Sequence, residues 1–103
     1  MKVKEKLTTI RLDLDTDKDL EMLAKLKDTD KSKLIRDLIV LGIKEKKIDE
    51  SLKLYSKGKV SLWKAATLAG ISLWEMMEIA AERKIPAQYG ERELKEDLNA
   101  LKH

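Results

Sequence analysis

The sequence predicts a mainly α-helical protein with one short N-terminal β-strand. Three observations predict it. Apolar residues alternate only between Thr8 and Leu14, where Ile10, Leu12 and Leu14 share one side and Thr9, Arg11 and Asp13 the other. Beyond Asp15 the apolar spacing becomes helical. Gly58, Gly70 and Pro86 then stand where helical runs end.

The strand sets the first constraint. No later segment offers a clear second strand, although Ile85 to Tyr89 is the one place inside the chain that could supply it. A lone strand leaves its N–H and C=O groups without a ladder. Pairing with the same strand of a second copy is the simplest remedy, so the sequence predicts a homodimer. Asp15 or Thr16 then opens a first helix, with acidic residues in its first turn to suit the helix dipole and Leu20, Leu23 and Ala24 facing inward. The ladder Asp13, Asp15, Asp17, Asp19 lacks the Gly and Glu of a calcium loop, since Lys18 and Ala24 hold those places. Capping accounts for it.

A second helix starts at Thr29 or Asp30 and runs to about Lys46. Leu34, Ile35, Leu38, Ile39, Leu41 and Ile43 make a face too wide for a solvated helix. Gly42 inside it costs helix stability but allows close approach. A third helix covers Ile48 to Lys57, a fourth Leu62 to Ala69 behind Ser61, and a fifth Leu73 to Lys84 behind Ser72. Pro86 closes the fifth. A last amphipathic helix is expected over Glu91 to Lys102. The domains read as 1–46 and 47–103. Each half is about fifty residues, marginal as a lone core, which again favours a dimer.

Composition excludes whole classes of chemistry. The 103 residues include no Cys, and the single His is His103, so disulfides, thiolate metal sites and histidine-centred catalysis fall away. No Gly-rich phosphate loop and no nucleophile beside a base is visible. An enzyme, a cofactor and a bound metal are therefore not expected. The longest apolar run, Leu38-Ile39-Val40-Leu41, falls far short of the ~20 residues of a membrane span. The basic start MKVKEK is followed by no apolar signal region, so a cytoplasmic location is expected. The net charge is +3, but unevenly spread. Residues 1–11 carry Lys2, Lys4, Lys6 and Arg11 against Glu5, whereas residues 65–103 are net acidic. A basic front and an acidic rear suggest two different partners.

The segment Thr8-Thr9-Ile10-Arg11-Leu12, the capped helix with Leu20-x-x-Leu23-Ala24, and Asp30-Lys31-Ser32-Lys33-Leu34-Ile35-Arg36 together resemble a ribbon-helix-helix DNA-binding domain. The resemblance covers residues 7 to about 46. It implies that paired strands enter the major groove of double-stranded DNA, with Thr9 and Arg11 at base edges. It further implies that Lys4, Lys6 and the helix start at Lys31, Ser32 and Lys33 contact phosphates. Ile10, Leu12, Leu34, Ile35, Leu38 and Ile39 would then form the dimer interface. Whether dimers pair into tetramers on DNA is open.

Residues 60–74 have the spacing of a helix-turn-helix: small Ala65, Ala66 and Ala69, a turn at Gly70 and a cap at Ser72. Glu75, Glu78 and Glu82 make its second helix a poor groove reader, so a compact packing unit is expected, with Trp63, Trp74, Met76 and Met77 in a core or interface. The motifs Leu54-Tyr55-x-x-Gly58-Lys59-Val60-Ser61, Lys64-Ala65-Ala66-x-x-Ala69-Gly70-Ile71-Ser72 and Ile85-Pro86, followed by Tyr89 and Glu93-Leu94-x-x-Asp97-Leu98, resemble a family of small prokaryotic proteins inferred to be antitoxins beside PIN-domain toxins. That resemblance implies a toxin partner, with Tyr89, Leu94 and Leu98 as its candidate contacts. The expected function is a dimeric, sequence-specific transcriptional repressor and antitoxin. The alternatives are a protein-binding adaptor without DNA, or a regulator whose helix-turn-helix reads DNA.

Overall fold

The computed structural model describes residues 4–87. Its elements are α1 (Leu14–Leu26), α2 (Lys31–Ser56), α3 (Leu62–Ala69) and α4 (Leu73–Glu82). The chain divides into two compact units, Met1–Ile39 and Val40–His103, and the division falls within α2.

The expected fold class needs correction. The described residues hold four helices and no strand, so the chain is all-helical there and the strand of a ribbon-helix-helix domain is not formed. Two physical causes are visible. A strand needs a second backbone for its ladder, and none among the described residues offers one. The Asp13 carboxylate also competes for the segment: it accepts the Thr16 amide at 2.7 Å and caps a helix that already begins at Leu14. Leu14, counted on the inward side of the strand, is instead in the first helical turn and 78% exposed. The amide of Thr16, followed by its hydroxyl, holds the Asp13 carboxyl below its ordinary range.

In the first unit, α1 turns off at Asp28, whose φ is 52°, as the Thr29 amide bonds back to Ala24 O at 2.9 Å. The core of this unit is small. Leu20 and Ala24 of α1 are buried with Leu34 of α2, and Ile35 packs partly against them.

The α2 helix is longer than its sequence pattern suggests. The expected break near Lys46 does not occur, and one helix of 26 residues runs through. No Gly or Pro lies between Ile43 and Gly58, and the apolar spacing continues through Ile48, Leu52 and Tyr55. The helix stops only at Gly58, in the left-handed region, where the Lys59 amide bonds to Leu54 O at 2.9 Å.

The second unit carries the larger core. Ile48, Leu52 and Tyr55 of α2 are buried with Leu62, Ala65, Ala66 and Ala69 of α3 and Leu73, Met76 and Ala80 of α4. The three alanines let α3 and α4 lie close together. Ser61 accepts the Lys64 amide at 3.0 Å and Ser72 accepts the Glu75 amide at 3.1 Å, so both helices start where their caps predict. Met76 is fully buried and Met77 half-buried, while Trp63 and Trp74 are exposed.

The α4 terminus gives a direct test of this local reading. Lys84 sits at φ 57° while the Ile85 amide bonds to Ala80 O at 2.9 Å. A side chain there costs roughly 1–2 kcal/mol in the left-handed region. Lys84→Gly relieves that cost and in part offsets it by greater unfolded-state freedom. The expected result is a net gain of about 0.5–1 kcal/mol in urea denaturation. Among the described residues no helix is long and apolar enough to cross a membrane.

Candidate nucleic-acid interface

The residues expected to meet DNA fall in two places within the first unit. Lys4, Lys6, Thr9 and Arg11 lie on the irregular segment before α1, and all four are exposed. No described carboxylate lies within 4.0 Å of the Lys4, Lys6 or Arg11 cations. Their side chains are thus available to an anion. Ile10 and Leu12 share the segment and remain 67% and 40% exposed.

The second place is the start of α2. Asp30 caps it by accepting the Lys33 amide at 2.7 Å. That amide is therefore used within the chain, which leaves the amides of Lys31 and Ser32 at the helix start for an outside acceptor. The Ser32 and Lys33 side chains are exposed. Lys31 is engaged differently: its ammonium bonds the Asp17 carboxylate, with Glu21 at 4.0 Å. The bond to Asp17 holds the Lys31 ammonium above its ordinary range. A phosphate at this helix start would have to compete with Asp17 for Lys31.

Of the residues expected at a dimer interface, Leu34 is buried in its own unit and Ile35 partly so. Leu38 and Ile39 are 40% and 50% exposed. Tyr89, Leu94 and Leu98, and the helix expected over 91–102, lie outside the described residues.

In the second unit, α4 turns Trp74, Glu75, Glu78 and Glu82 to the exterior, with Trp74 62% exposed. No described cation lies within 4.0 Å of these three carboxylates. A groove of about 400 Å³ elsewhere on this unit is lined by Lys46, Lys53, Lys57, Arg83 and the apolar Leu52 and Ile85. Two of its cations are occupied: Arg83 bonds Asp49 at 2.7 Å and approaches Glu45 at 4.0 Å, and Lys53 bonds Glu50 at 3.2 Å.

A model described as "Uncharacterised protein family (UPF0175)" matches residues 10–103. The chain belongs to the UPF0175 family. It is 46% identical over 59 residues to a UPF0175 protein of Aeropyrum pernix, covering 57% of this chain and 66% of that relative. It is 35% identical over 68 residues to a UPF0175 protein of Archaeoglobus fulgidus, covering 60% of this chain and 76% of that relative. The chain therefore spans just under two thirds of the Aeropyrum pernix protein. No solved structure matches it.

Sequence reasoning missed four members of these surfaces in the UPF0175 chain. Asp17 read as a first-turn dipole charge of α1 and Glu21 carried no assigned role, and only the fold brings Lys31 to them. Arg83 and Asp49 lie 34 residues apart, a separation that carries no local signal.

Proposed function

We propose that the protein is a dimeric, sequence-specific DNA-binding transcriptional repressor that serves as the antitoxin of a toxin–antitoxin pair. One observation carries the DNA part. Lys4, Lys6 and Arg11 stand exposed, together with Thr9, on an irregular segment with no described acid to neutralise them, and the same unit holds a helix start capped by Asp30. Such an arm suits phosphates through its lysines and guanine through the two donors of Arg11. Large apolar side chains left bare on the same unit support the dimer. The antitoxin part is supported by the other unit, where α4 offers a tryptophan and three carboxylates to a cationic protein.

The test is a gel-shift series on DNA fragments selected by the purified chain. Arg11→Ala is expected to cost about 1–3 kcal/mol in affinity and to relax sequence preference. Unchanged affinity at matched salt removes Arg11 from base reading. Absence of any salt-sensitive retention on DNA replaces the repressor with a protein-binding adaptor. Charge reversal at Glu75 and Glu78 leaves the selected sequence unchanged, and a changed sequence would move DNA reading to the α3–α4 unit.

A further inference from the structure

The groove of the second unit has more cations than acids. Lys46, Asp49, Glu50, Lys53 and Lys57 line it from α2, at positions i, i+3, i+4, i+7 and i+11, which fall on one face of the helix. Arg83 and Ile85 line it from the chain just beyond α4. Both acids are taken, Asp49 by Arg83 at 2.7 Å and Glu50 by Lys53 at 3.2 Å. Lys46 and Lys57 are exposed, and no described acid lies within 4.0 Å of either. At ~1.5 Å of rise per residue they stand about 17 Å apart along α2. The floor between them is apolar, with Leu52 buried and Ile85 partly so. Two lysines so far apart do not close on one small anion. They fit an elongated acidic ligand that carries apolar side chains between its acids.

The chain carries such a sequence directly after the groove. Ile85 is followed by Pro86 and Ala87, and residues 88–103 lie outside the described residues. In that sequence Leu94, Leu98 and Leu101 stand at i, i+4 and i+7, and on the same helical spacing Glu91 and Asp97 flank them. A helix over Glu91 to Lys102 measures about 18 Å, close to the separation of the two lysines. Residues 86–90 reach up to about 17 Å when extended, a tether as long as the groove.

We infer that this groove is the seat of the chain's own C-terminal segment, residues 91–102. Leu94, Leu98 and Leu101 then rest on Ile85 and on the aliphatic stems of the groove lysines, with Glu91 and Asp97 toward Lys46 and Lys57. Exposed ion pairs contribute little singly, so the leucines hold the segment and the charges fix its place. A short tether keeps the segment at an effective concentration in the millimolar range, so contacts too weak to hold a free peptide suffice. The inference uses the second unit alone and does not depend on the proposed DNA contacts.

The experiment is amide hydrogen exchange, read by mass spectrometry on the full chain. Amides of residues 91–102 are expected to exchange at least about tenfold more slowly than those of a free chain. Lys46→Glu combined with Lys57→Glu is expected to remove most of that protection while the amides of α3 and α4 keep theirs. Adding Glu91→Lys and Asp97→Lys to that variant is expected to restore it. Both lysines are exposed and lie outside the core, so their reversal leaves the fold of the unit in place. Free-chain exchange over 91–102 in the native protein overturns the inference. Protection that the reversal leaves unchanged also overturns it, and weaker retention of the same variant on DNA then assigns the groove to phosphates. Protection that fades on dilution overturns it too, and gives the groove to the segment of a second copy.

Discussion

Replacing Leu52 by alanine is expected to unfold the second unit. Leu52 is 2% exposed and joins α2 to the core that α3 and α4 share. Truncating a buried leucine costs about 2–5 kcal/mol, from lost transfer energy and from the cavity left behind. A unit of roughly sixty residues holds only on the order of 3–10 kcal/mol in total. Chemical denaturation followed by circular dichroism should therefore show Leu52→Ala losing most of its cooperative transition. Leu68→Ala serves as the control. Leu68 is 44% exposed on α3, and its truncation is expected to stay within about 0.5 kcal/mol. A small effect at Leu52 would mean that α3 and α4 hold together without α2.

The second large effect is electrostatic. Changing Lys4, Lys6 and Arg11 together to glutamine removes three exposed cations without touching any buried residue. Each phosphate contact contributes about 0.9 to the slope of log affinity against log salt. Loss of all three should lower that slope by about 3 and make the advantage of the native chain shrink roughly 40-fold between 50 and 200 mM salt. Thermal unfolding should be unchanged. A slope that stays the same would remove the N-terminal segment from the DNA contact.

Local chemistry made most of the helices legible. Ser61, Ser72 and Gly70 fix the ends of α3 and α4 through bonds between near neighbours, and such bonds are written in the sequence. The α2 continuation was harder to see because absence of a breaker is a weaker signal than presence of one. The strand failed for a different reason. Alternation over Thr8 to Leu14 states which side chains could share a face, but a ladder is a property of two backbones. The Asp13 cap decided the end of that segment instead. At the candidate interface, exposure of Lys4, Lys6 and Arg11 followed from their type. The capture of Lys31 by Asp17 did not, since it depends on how α1 meets α2 within the first unit.

The thinness of the first core has a quantitative outcome. Among the described residues Leu20, Ala24 and Leu34, with Ile35 against them, offset little of the ordering entropy of this unit, so in the proposed dimer the second copy would supply the remainder by mass action. On that arithmetic the amino-terminal half melts on dilution and hardens as copies accumulate. Abundance then becomes a dial on integrity: scarce molecules expose their front ends to proteases first, and under the proposed function DNA occupancy would fall as soon as synthesis falters.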